Sequence, residues 1–111
     1  MKKFLVLFES SVPAEEQMKA PPEQKKAGME LWMKWMQKAG SALVDPGAPI
    51  GAGHQVADGS TSASKSDVTG YSIVQAESAE DAAKLFEQHP HFMTPAETSI
   101  EVLETMPMPG S

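Results

Sequence analysis

Five consecutive apolar residues, Phe4-Leu5-Val6-Leu7-Phe8, constrain this chain more than any other feature. Successive side chains on a strand point to opposite faces, so Phe4, Val6 and Phe8 share one side and Leu5 and Leu7 the other. A strand that is apolar on both sides needs cover on both. Lys2 and Lys3 lend the opening a signal-like charge, but Glu9 ends the apolar run short of the ~7–15 residues of a signal core. Later stretches do not approach a membrane span. The expectation is a protein without membrane contact, placed in the cytoplasm.

The rest of the chain supplies elements to pair with that strand. Pro21-Pro22 suits a helix start, where the missing N–H is not needed, and the helix is expected from Pro22 to Ala39. Met29, Trp32, Met33 and Met36 fall at i, i+3, i+4 and i+7 and form its apolar stripe. Leu31 and Trp35 sit to one side, with Trp35 either part-buried at the helix edge or bordering a pocket or subunit contact. Gly40 provides the left-handed exit.

Asp45-Pro46-Gly47 and Pro49-Ile50-Gly51 read as turns, so the second strand is expected near Gly53 to Ala57. The small polar run from Asp58 to Asp67 reads as a flexible hairpin connection. Gly70 to Ala76 is the third strand. Ser78 then caps a helix with Glu80 and Asp81 in its first turn, ended by Pro90. Residues 99 to 105 form the last strand.

The order strand, helix, strand, strand, helix, strand belongs to an α+β domain of ferredoxin-like βαββαβ type, a four-stranded antiparallel sheet with both helices on one face. With 111 residues, the whole chain, 1–111, is expected to be one domain. The second sheet face stays uncovered, and an exposed apolar face of several hundred Å² is usually an interaction surface. Face-to-face homodimerisation with a cleft between the sheets follows as the expectation.

Composition narrows the chemistry. A net charge of −6, with nine Lys and no Arg, repels phosphate backbones and offers no bidentate grip on them, which argues against nucleic acid. The absence of Cys removes disulfides, thiol catalysis, Fe–S ligation and Cys-based zinc together, and suits a reducing compartment. Gly47, Gly51 and Gly53 do not make a dinucleotide fingerprint. Asp58 to Asp67 lacks the central Gly and bidentate Glu of a calcium loop. No cofactor is expected.

Val68-Thr69-Gly70-Tyr71-Ser72-Ile73-Val74-Gln75-Ala76, the capped helix, His89-Pro90-His91-Phe92 and Ser99-Ile100-Glu101-Val102 follow one another in an order that resembles the YCII-related proteins. These are small dimeric α+β barrel proteins, mostly uncharacterised. Ala42 to Pro49 and Met106-Pro107-Met108-Pro109 are similar to one branch of that family. The resemblance implies a ferredoxin-like protomer that dimerises through its sheet. Some relatives carry Asp-Gly-Pro-Phe where Asp58-Gly59-Ser60 stands here. Catalytic readings in the family use a His near the end of the first strand with an acidic partner, whereas this chain has Glu9 and Ser10 there.

Imidazole is the side chain whose ordinary pKa, ~6.5, suits proton transfer near neutral pH. His54 at the start of the expected second strand, and His89 and His91 two residues apart, are therefore the catalytic candidates; His89 and His91 would share a face in an extended segment. A metal at that pair would require carboxylates as further ligands, and none is expected. Tyr71, Glu101 and Trp35 are the candidates for substrate binding: a phenol to orient a carbonyl, a carboxylate whose pKa rises if it faces a cleft, and an indole wall. The functional expectation is a cofactor-independent enzyme moving a proton on a small organic molecule. The alternative is a non-catalytic small-molecule-binding or accessory dimer. An oxygenase on the same barrel is the third reading, by fold analogy alone.

Overall fold

The computed structural model describes residues 1–94 and 96–110. Its centre is β1 (Lys2–Ser10), and the alternation expected of it holds: Phe4, Val6, Phe8 and Ser10 are buried, while Leu5, Leu7 and Glu9 are half-buried. After it come α1 (Ala14–Gln17), α2 (Pro22–Ala39), a 3-10 turn at Gly40–Ala42, β2 (Leu43–Pro49), β3 (His54–Ala57), β4 (Ser60–Ala63), β5 (Val68–Ala76), α3 (Ala79–Lys84), a second 3-10 turn at Pro90–Met93 and β6 (Thr98–Glu104). The main sheet has the order β2-β5-β1-β6, antiparallel throughout. Because β1 and β2 both run antiparallel to β5, they are parallel to each other with β5 inserted between them. β5 and β6 straddle β1 in the same way. β3 and β4 form a separate two-stranded sheet.

The core lies on one face of the main sheet. Phe4, Val6, Phe8, Val74 and Ala76 pack there against Trp35 of α2, Ala82 of α3 and Phe86, with Trp32, Met36, Ala39, Leu43, Ile100 and Val102 around them. α2 has the expected limits but a different inward face. Trp35 is its most buried residue at 8% exposure, whereas Met29 and Met33 are 61% and 50% exposed. The indole explains the rotation: Trp35 Nε1–H donates to the Leu85 carbonyl at 2.7 Å, so the larger ring can be buried with its polar atom paired.

That same carbonyl lies just past the end of α3, where Leu85, Phe86 and Glu87 donate to Ala82, Ala83 and Lys84 in tighter i→i−3 bonds. Ser78 caps the helix, its Oγ accepting the Asp81 N–H at 3.1 Å, but the helix stops at Lys84, before Pro90. Trp35 takes the Leu85 carbonyl that His89 N–H would use in a continuing helix; His89 N–H donates instead to Phe86 O at 3.2 Å, and Gln88 adopts a positive φ of 59°.

The second strand of the main sheet is Leu43–Pro49, not the 53–57 segment, which lies in the separate hairpin. Asp45-Pro46-Gly47 is a bulge inside an edge strand, where proline is tolerated. Asp45 Oδ1 accepts the Gly47 N–H at 2.8 Å, and Ser72 Oγ donates to the Pro46 carbonyl at 2.8 Å. The polar run after Asp58 is likewise shorter as a connection than its composition suggests. Asp58-Gly59 makes the turn, with Gly59 at φ 83°, and Ser60–Ala63 is strand, because small hydroxyl residues accept a pairing partner when one is supplied.

Candidate functional site on the open sheet face

Register assembles the site. Leu7 pairs with Tyr71 on β5 and with Glu101 on β6, so the phenol and the carboxylate flank Leu7 on one face, about two strand spacings or ~10 Å apart. Leu5 pairs with Ile73 and Leu103 in the row alongside. This face is opposite the helices, and its apolar side chains stay half-buried or exposed.

Glu9 belongs to the same face, two residues on from Leu7. It pairs with Ser99 on β6, which places its carboxyl diagonally beside that of Glu101. Ser99 Oγ donates to Glu9 Oε1 at 3.2 Å. Partial loss of water contact pushes the Glu9 carboxyl above its ordinary value; the Ser99 hydroxyl works against this, and the nearby Glu101 and Asp67 carboxylates reinforce it. Beside this pair runs a shallow cleft of ≈ 300 Å³ between Glu9, Asp67, Glu97 and Ser99.

The histidines divide between two other places. His89 and His91 are brought together on the core side, in and before the 3-10 turn, at 0% and 5% exposure. His89 stands among Phe8, Trp32, Trp35 and Phe86, with the two indole centroids at 4.5 Å and steep interplanar angles of 85° and 69°. Burial, with His91 nearby as a smaller cause, lowers its pKa to about 4. Trp35 is therefore a core wall around His89 and not part of the open face. His54 is exposed on the β3–β4 hairpin, outside the main sheet.

His91 links the two faces. Its Nε2–H donates to the Glu9 carbonyl at 2.7 Å, gripping from below the residue whose side chain lies on the open face. The β1–β5 register shifts between Phe8 and Glu9, so this bond supports the strand where its ladder is irregular. Neither the pairing of Glu9 with Glu101 nor the bracing by His91 is visible in sequence spacing, because the residues involved are more than 80 positions apart. The parity of Glu9 with Leu5 and Leu7 was the available signal.

Among the described residues no group of three or more His, Asp or Glu side chains stands in a metal-holding arrangement, and no helix is long and apolar enough to cross a membrane. The chain matches no protein-family model and no curated protein.

Proposed function

We propose that this chain is a homodimeric, ferredoxin-like protein of YCII-related kind whose open sheet faces enclose a cleft for a small organic molecule. The Glu9–Glu101 carboxyl pair is the group that holds and moves a proton there. The interleaved βαβ halves, with β5 between β1 and β2 and β1 between β5 and β6, support the fold assignment. The observation that carries the functional reading is a sheet face left without helices, with Leu5, Leu7, Ile73 and Leu103 beside a carboxyl pair in which one member is raised. A carboxyl whose pKa is raised holds its proton to higher pH and is a stronger base once ionised than an ordinary one. Tyr71 on the far side of Leu7 is placed to orient a polar group of the bound molecule.

In this reading the proton carriers are carboxyls, and the histidines serve otherwise. His91 positions Glu9, and His89 fills the core beneath. Native mass spectrometry of gently purified protein tests the proposal, since one spectrum reports subunit number and any bound mass. A dimer that retains a small molecule, together with Glu101→Gln abolishing its turnover but not its binding, is the expected result. Retention without turnover in the unaltered chain turns the assignment to the non-catalytic binding dimer. A monomer at micromolar concentration overturns the cleft itself.

A further inference from the structure

Among the described residues the β3–β4 hairpin pairs with no other strand of its own protomer. Its strands are four residues each, all eight side chains are exposed, and two strands of that length are at best marginally stable alone in water. The ribbon is nonetheless two-faced. Cross-strand pairing puts His54 opposite Ala63 and Val56 opposite Thr61 on one face, and Gln55, Ala57, Ser60 and Ser62 on the other. Val56, the hairpin's largest apolar side chain, is 77% exposed on the His54 face.

The whole protomer is more extended than a compact domain of its length. It extends 49 × 42 × 19 Å, and its radius of gyration of 15.5 Å exceeds the about 13 Å of a compact domain of this length. Its surface is 7959 Å², whereas a compact monomer of its mass exposes about 6,000 Å². The excess of about 2,000 Å² per copy falls within what each subunit of an obligate homodimer hides. Hydrogen bonding is complementary too: the hairpin's docking face carries an imidazole N–H, and the open sheet face offers the acceptor oxygens of Glu9 and Glu101.

We infer that the β3–β4 hairpin is a dimerisation arm that closes over the open sheet face of a second copy and brings its His54 to that copy's Glu9–Glu101 pair. The site is then composite, each cleft drawing its carboxyls from one chain and its imidazole from the other. This rests on the sheet-face dimer proposed above and adds to it a partner for the hairpin and a role for His54.

The absence of native Cys permits a direct test. Val56→Cys and Ser99→Cys variants are mixed, equilibrated and oxidised, and the dimer dissociation constant is measured by analytical ultracentrifugation for His54→Ala, Glu101→Gln and the double variant. The arm predicts a disulfide between copies in the mixture far exceeding that in either variant alone. It also predicts at least tenfold weaker dimerisation by His54→Ala, an effect lost in the Glu101→Gln background. A dimer without the mixed disulfide, or one indifferent to His54→Ala, overturns the arm and leaves the sheet-face dimer standing. A monomeric unaltered chain overturns both.

Discussion

The backbone N–H of His91 donates to Nδ1 of His89 at 3.0 Å, across the first residues of a 3-10 turn that Pro90 begins. With Nδ1 accepting, the neutral ring of His89 carries its proton on Nε2, and among the described residues that buried atom has no hydrogen-bond partner. The ring faces Phe8, Trp32, Trp35 and Phe86, with His91 nearby, and none of these offers an anion to a second proton.

Stability should therefore fall with acid in a defined window. The His89 pKa is lowered to about 4 in the folded chain, against ~6.5 in the unfolded one, so the unfolded state binds the extra proton first. The contribution is fully present above pH ~6.5 and is lost as pH falls toward about 4, on the order of 2–3 kcal/mol over the window. Urea unfolding at a series of pH values reads it directly. His89→Asn keeps an acceptor for the His91 N–H, lowers stability at pH 7 by about 1–3 kcal/mol through lost volume, and should flatten the curve between those limits. A variant curve as steep as the parent's would assign the acid sensitivity to other groups.

Trp35→Phe keeps an aromatic ring in the core but removes the donor to the Leu85 carbonyl. The expected loss is about 2–3 kcal/mol, from the missing bond and the vacated space. Hydrogen exchange should show His89 and its neighbours opening more readily, because the bond ties the Leu85 turn to α2 and Trp35 packs against His89.

Two glycines separate strain from propensity. Gly47 sits at φ 76° in the β2 bulge, where a Cβ would run into the Tyr71 carbonyl, so Gly47→Ala should cost about 2–4 kcal/mol and disturb the strand pairing at Tyr71. Gly28 lies inside α2 with nothing within 4 Å of the position a Cβ would take. Gly28→Ala should stabilise by about 0.5–1 kcal/mol. Thermal unfolding of the pair reads opposite signs.

The neighbours of Glu9 predict how its pKa moves when they are changed. Glu101→Gln removes a neighbouring charge and should bring the Glu9 pKa down toward its ordinary value, whereas Ser99→Ala removes the opposing hydrogen bond and should raise it further. Carbon-detected NMR of the side-chain carboxyls across pH 3–8 checks both. If Glu9 titrates identically in the parent and in Glu101→Gln, the two groups do not act as a pair.

Local pattern was enough for some of this protein. The two-sided apolar run of β1, the proline start and glycine exit of α2, and the Ser78 cap of α3 all depend on residues within one or two turns of each other, and their signals survive folding. Tertiary structure decided the rest, wherever a distant group changed the local balance. Leu43–Pro49 became a strand despite Asp45-Pro46-Gly47 because β5 supplied its ladder and Ser72 took the Pro46 carbonyl. α2 turned Trp35 inward because one indole N–H found one carbonyl 50 residues away. The open sheet face shows the same division: parity on β1 puts Glu9 with Leu5 and Leu7, but only strand register, set by long-range pairing and core packing, brings Glu101 beside it.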